Sequence, residues 1–481
     1  MKLLKVMCVI ALMFAVSTAA FAETQSVKVS GDITMRGMAR NNYDLDSNDI
    51  PAAAGTENSD WATYLTSTAE IQVDADLTDN VSGVIRLVNQ RVWGDLNYTS
   101  NGTANAGELR RIDANGTVTN PAITGANAFN VDVDLAYIEL KEFLYSPLTL
   151  KIGKQDLWFG KGFIIGAQLQ DNQNSLYADE YTAVTSFDAI RATLDYYPWT
   201  IDAVYSKIAE NARRSNDDVN LYGVNVGYLF DDYNAEAEAY WFWKESRNPG
   251  GTGVNGIDLA SIGNDSNDVH TFGMRGSFDP IEDWTIALEG AYQGGAYMLA
   301  NQQNERDRQG WAFDALLECR YWQDDFAWKP VLGLEYIFYS GDDNLGTDTA
   351  ATTGDYEGWD PMFRGKFDTA IREFQNVYYT TAQASSPSYT NQHQVLLRGT
   401  LEPTDSLTFD ASYGHFWLAE QFSAATSNKN IGDEIDLQLT WDYTEDVQFG
   451  LLAGWFIPGN HFVDPLDDIA TDVVGTVSLS F

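Results

Sequence analysis

The chain has 481 residues, with 69 acidic against 29 basic side chains and a formal net charge of −40. That balance excludes a nucleic-acid partner, because polyanions are held by basic faces. After the first residues no run approaches 18 apolar side chains, which excludes transmembrane helices, yet aromatic residues make up 13% of the chain. A closed β-barrel enters a membrane without such runs, because its backbone groups pair internally and only alternate side chains need be apolar.

The N-terminus reads as a secretion leader. Lys2 and Lys5 precede the apolar stretch "LLKVMCVIALMFAV", and Ala20-Phe21-Ala22 supplies a small-x-small cleavage pattern. Cleavage after Ala22 is expected, giving domains of 1–22 (leader) and 23–481 (barrel). Cys8 departs with the leader, so Cys319 is left without a disulfide partner.

From there the period is two almost everywhere. In "SVKVSGDITMRGMAR", Val27, Val29, Ile33, Met35 and Ala39 share one face, and Lys28, Ser30, Asp32, Thr34 and Arg36 share the other. "YLTSTAEIQVDADL", "AEAEAYWFW" and "EIDLQLTWDY" alternate in the same way. Strict alternation of this length predicts strands, and the pattern recurs about 18 times. The connections alternate short and long. Short turns such as "LTDN", "YYPW", "DPIED" and "YTED" are separated by polar stretches at 41–60, 94–128, 160–184, 207–218, 244–268, 295–310, 340–391, 418–432 and 458–471. A soluble sandwich has no reason to keep that parity. It is the plan of an outer-membrane barrel with short periplasmic turns and long extracellular loops. Aromatics cluster beside the short turns (Tyr196, Tyr197, Trp199, Trp322, Phe326, Trp328, Trp441, Tyr443) and toward the long loops (Trp93, Trp158, Phe159, Trp241, Trp243, Trp417, Trp455, Phe456), as two interfacial girdles would. The closing "TVSLSF" reads as a final strand whose aromatic Phe481 is expected to engage the barrel-assembly machinery.

Alternation also sorts the charges. Inward acids are expected at Asp74, Asp76, Asp132, Asp134, Asp195, Glu236, Glu238, Glu289, Asp314, Glu318, Asp410 and Asp436. Inward bases are expected at Arg36, Arg86, Lys151, Arg191, Arg275, Arg320 and Arg398, and six of them fall near mid-height: Arg36, Arg86, Lys151, Arg191, Arg275 and Arg398. A mid-height basic belt would favour anionic solutes. The same residues could equally brace the wall by pairing across strands. No catalytic or metal pattern emerges. His270, His393, His415 and His461 are scattered, no G-x-S-x-G occurs, and no cofactor is expected. "DLDSND" begins like a calcium loop at Asp44, Asp46 and Asn48 but lacks the later Gly and Glu. "KIGKQDLWFGKGFIIG", from Lys151 to Gly166, is not a phosphate loop, because its glycine spacing is wrong and Gly162 stands where a hydroxyl is needed. It reads as an inward Lys151, an interfacial Trp158 and Phe159, and glycines opening an external loop.

That stretch, with "DLAYIEL" at 134–140, "SFDAIRATLDYYPWTIDAVYSKI" at 186–208, "DPMFRGKF" at 360–367 and "DEIDLQLTWDYTEDVQFGLLAGWFIPG" near the end, resembles the alginate export family of outer-membrane porins. The resemblance implies an 18-stranded barrel passing an anionic polysaccharide through a basic constriction. It places Lys151, Lys154 and Arg191 on the motif strands and Arg364 and Lys366 in a long-loop motif. Lys154 stands where the family has Arg, and because alternation turns it outward, a local bulge is expected to bring it in. The expected function is therefore a non-enzymatic porin of a Gram-negative outer membrane, in contact with lipid and lipopolysaccharide, passing anionic saccharides or small anions by diffusion. The alternative is an adhesin or receptor barrel acting through its long acidic loops.

Overall fold

The computed structural model describes residues 26–43, 45, 61–93, 111–112, 118–119, 131–169, 179–210, 218–247, 267–297, 306–322, 326–343, 354–374, 389–421, 428–462 and 467–481. The leader at 1–22, the calcium-like positions Asp44, Asp46 and Asn48, and most of 94–128 and 244–268 lie outside these residues.

Twenty strands follow in chain order: β1 Ser26–Asn41, β2 Trp61–Thr78, β3 Val81–Val92, β4 Arg111–Ile112, β5 Val118–Thr119, β6 Asp132–Leu140, β7 Leu148–Gln155, β8 Phe187–Tyr196, β9 Trp199–Ala209, β10 Val219–Phe230, β11 Ala235–Ser246, β12 Asn267–Ile281, β13 Trp284–Tyr297, β14 Arg306–Cys319, β15 Val331–Tyr339, β16 Gln392–Thr404, β17 Leu407–Leu418, β18 Asn430–Asp442, β19 Val447–Pro458 and β20 Ala470–Ser480. Strands β4 and β5 pair only with each other, and the remaining 18 form one sheet. Each sheet strand is antiparallel to its neighbours, and β1 pairs with β20, from Asp32 opposite Ser480 to Asn41 opposite Thr471, so the sheet closes on itself without an edge.

The alternation has a physical cause. Outward positions are large and apolar, among them Ile71, Ile85, Ile138, Ile190, Met274, Leu288 and Leu397, and all are exposed. So wide an apolar band would be an aggregation hazard in water but is what lipid requires. Aromatics bound the band at both ends. Trp199 meets Tyr228 at 4.7 Å and Trp441 meets Phe449 at 5.6 Å beside the short turns. At the long-loop end Trp243 stacks on His270 at 5.1 Å and Trp417 on His393 at 5.1 Å.

Three girdle assignments are corrected. Phe159 and Phe456 are buried in the barrel interior, and the Trp158 ring lies against Gly162, Gly166 and Gly365. The reason is that the segment after β7 does not leave the barrel as an external loop. It folds inward and zips to residues 354–374: Ile165 forms a parallel bridge with Phe363, and Gly365 N donates to Gly162 O at 2.9 Å. The two backbones touch at Gly166 and Gly365, where a Cβ on Gly166 would stand 2.8 Å from the Gly365 Cα. Leu157, Phe163, Ile165, Trp359, Met362, Phe363 and Ile371 from these loops join inward side chains such as Phe187, Phe242, Ile337 and Phe416 in one buried apolar cluster. The barrel interior is therefore packed toward the long-loop end and polar toward the short-turn end.

Candidate functional site

The inner wall carries its cations in two groups. The first lies on the adjacent strands β3, β6, β7, β8 and β9. Arg86 Nε donates to Asp134 Oδ2 at 2.6 Å, Lys151 Nζ lies 3.4 Å from Glu139, and Arg191 Nε donates to Asp202 Oδ1 at 2.8 Å. Lys151 stands directly opposite Arg191 in the β7–β8 register. Like charges in directly opposed positions destabilise a sheet, so this placement has a cost that bracing alone does not explain. In the Arg86 and Arg191 pairs the cation faces the lumen and the acid lies buried behind it, whereas Glu139 is nearly as exposed as its partner Lys151. The Arg191 side chain is 26% exposed against 4% for Asp202, and Arg86 is 23% exposed against 0% for Asp134. Aromatic faces support two of these cations, with Lys151 over Tyr137 at 4.5 Å and Arg191 over Phe159 at 4.9 Å.

The second group holds the inward loop. Lys366 Nζ reaches Asp314 on β14 at 3.0 Å, Glu335 on β15, and Asp368 at 3.4 Å. Arg398 on β16 binds the same Glu335 and donates to Asp368 at 2.6 Å, while Arg364 binds Asp368, Glu373 and the Tyr339 hydroxyl. Further along, Lys244 on β11 grips Asp360 at 2.5 Å. The Glu434 carboxylate on β18 accepts the Ile371 and Arg372 amides at 2.7 and 2.8 Å. Burial works against the charge on Lys366, but Asp368, Glu335 and Asp314 outweigh it and hold the ammonium well above its ordinary value. Burial likewise opposes the Asp368 carboxylate, yet Lys366, Arg364 and Arg398 keep it well below the usual range. Glu373 goes the other way: burial and the neighbouring Asp368 push it up to about 7.

The sequence-predicted residues thus fall out as follows. Arg86, Lys151 and Arg191 come together on one arc. Arg364, Lys366 and Arg398 come together around Asp368. Arg275 stands apart, bound to Glu236 and Glu238, and Gly160 packs on its side chain, since a Cβ there would meet the Arg275 Cδ at 2.5 Å. Here the arrangement inverts, with Arg275 10% exposed and Glu236 40%. Arg36 stacks on Tyr181 at 4.7 Å. At Lys154 the expected bulge is absent. The register runs unbroken through it, opposite Ala136 on β6 and Asp188 on β8. No residue is inserted there, but the neighbouring Gly153 holds a φ of 127°, and Lys154 lies close enough to Asp156, which itself stands 3.8 Å from Arg86, to act on that carboxylate. The sequence reading missed Asp202, Glu335, Asp360 and Asp368, which orient the cations. It also missed the inward loop, although the apolar content of "LWFGKGFIIG" and "GWDPMF" is too high for a solvated loop. Among the described residues, no three His, Cys, Asp or Glu side chains are grouped to hold a metal ion.

The sequence model of the Alginate export family matches residues 59–475. No curated protein matches the sequence. Solved structures of similar fold include Acinetobacter baumannii OccAB1, with TM-score 0.53 and 9% identity over 96% of this chain and 99% of that one. Pseudomonas aeruginosa OccK2 (OpdF) gives 0.53 and 12% over 95% and 98%, and P. aeruginosa OpdK with vanillate gives 0.51 and 10% over 94% and 99%. At such identities the likeness is one of fold.

Proposed function

Because the chain belongs to the alginate export family and forms a closed outer-membrane barrel, we propose that it passes anionic solutes by diffusion, with Lys151 and Arg191 touching the solute. The observation that carries this reading is the directly opposed Lys151 and Arg191, both turned to the lumen, with the acid of Arg191 buried behind it. A carboxylate in transit can bridge two such cations and relieve their repulsion. The buried Asp202 keeps Arg191 fixed while the guanidinium remains the group exposed at the wall surface. An acidic exopolysaccharide such as alginate suits this wall, because its repeating carboxylates would step from one cation pair to the next. The passage is read as non-catalytic.

Reversal potentials in planar bilayers test the reading. Wild type should prefer anions, and Arg191→Glu, with Arg191→Gln as the milder variant, should shift selectivity toward cations. A cation-preferring wild type overturns the anion reading, and unchanged selectivity in both variants reduces Arg191 to wall bracing. We also propose that residues 1–22 are removed on export and that Phe481 engages the assembly machinery. N-terminal sequencing of the membrane form should begin at Glu23, and Phe481→Ala should lower the inserted fraction.

A further inference from the structure

Arg36 differs from every other predicted lumen cation. Among the described residues it makes no ion pair, and its Nη1 is buried without a hydrogen-bond partner. Three more orphaned polar atoms lie on the next strand. Tyr64 OH, Thr66 Oγ1 and Thr68 Oγ1 on β2 are all buried without a partner. Thr66 is directly opposite Arg36, and Thr68 is opposite Thr34. Orphaned buried groups are rare in folded proteins, because each forfeits its hydrogen bonds to water without replacement. Four on one patch of inner wall call for an explanation.

The cover over that patch is the segment 179–184, a short strap that crosses from β1 to β3. Its Glu180 binds Arg40 of β1, the Tyr181 ring lies over the Arg36 guanidinium at 4.7 Å, and Tyr181 packs with Tyr64 and Met38. At its far end Gln90 of β3 donates to the Thr182 hydroxyl at 3.0 Å and accepts the Ala183 amide at 2.6 Å. The strand between these two anchorages is β2, which carries the orphaned hydroxyls.

We propose that Arg36, Tyr64, Thr66 and Thr68 form a carboxylate-binding subsite of the solute path, closed in this structure by the Tyr181 strap. A guanidinium fork with hydroxyls beside it offers the donors a carboxylate accepts, and the hydroxyls also suit the flanking oxygens of a saccharide. The charge around the site selects the ligand further. Asp32, Glu70 and Glu180 lie close enough to act on Arg36, so a singly charged carboxylate is admitted more readily than a doubly charged phosphate. The subsite deepens the anionic-solute reading and rests on it for its physiological ligand.

The test is calorimetric titration of the detergent-solubilised full chain with sodium galacturonate, with galactose as the neutral control and inorganic phosphate as the dianion. Tyr181→Ala removes the covering ring and its contact with the cation, so galacturonate should bind about tenfold tighter than to wild type. Arg36→Gln should abolish that binding in either background, and galactose and phosphate should bind no better than background. Thr66→Val guards against a folding artefact. It should raise the melting temperature by removing an orphaned hydroxyl and yet weaken galacturonate binding several-fold. Binding unaltered by Tyr181→Ala, or surviving Arg36→Gln in that background, overturns the subsite. The two readings fail separately: a barrel that conducts nothing but binds galacturonate through Arg36 sinks the channel and keeps the subsite, while an anion-selective channel indifferent to these substitutions does the reverse.

Discussion

Replacing Lys366 with Met should release the inward loop without unfolding the barrel. Lys366 is the loop's own cation, and its ammonium is shared by Asp314, Glu335 and Asp368. Asp314 and Glu335 have side chains only 1% exposed, so methionine leaves two buried carboxylates that water cannot reach. Removing one partner from a buried ionic cluster costs about 3–5 kcal/mol. Arg398 still serves Glu335 and Asp368 in the variant, which favours the lower end, about 3 kcal/mol. That is roughly a 150-fold shift in the docked-to-undocked ratio. The Lys244–Asp360 pair and the Glu434 clamp remain, so the expected state is intermittent opening. Single-channel recordings should show excursions to a larger conductance, and limited proteolysis should cut within 354–374. The heat-modified migration of the barrel should be unchanged, because no strand ladder is touched. Conductance and cleavage both indistinguishable from wild type would refute the claim that this cluster holds the loop.

Other outcomes follow from the same geometry. Glu373 has a raised pKa of about 7, so its contribution to docking is full below the ordinary carboxylate range and is lost as pH rises through 7; Asp368 is depressed, so its contribution is present above that range and lost on acidification. Protease resistance of the loop should therefore be highest near about pH 4 and fall progressively as pH rises toward 7, and Glu373→Gln should flatten only that fall. Gly365→Val should part the two zipped loops and raise conductance, since an added Cβ would already stand 2.6 Å from the Gly166 carbonyl carbon. Leu397→Arg, on the exposed outer wall of β16, should cost about 2–4 kcal/mol in denaturant unfolding from lipid vesicles. No loss there would mean that this face does not meet lipid.

The outer wall was legible in the sequence because its rule is local. Lipid on one side and a polar interior on the other impose a period of two on every strand, and a residue's neighbours two places away reveal its face. Loop parity was legible for the same reason, since each strand must be followed by a turn at one end or the other. The inward loops were not legible, because what draws them in is contact between residues some two hundred positions apart, such as Ile165 with Phe363. Only their apolar content hinted at it. Charge shows the same division. Alternation puts Arg86, Lys151 and Arg191 on one face of their strands, but which acid each meets depends on register, and the extra residue at Asp134 that opens room for Arg86 appears only in the pairing of β3 with β6. Lys154 shows the opposite error, where a bulge was expected and the ladder is continuous. A chain with a net charge of −40 can therefore present basic side chains to its lumen, because burial behind the wall decides which charges a passing solute meets. Total charge governs how the molecule repels its surroundings, while selectivity follows the side chains left exposed once the pairs have formed.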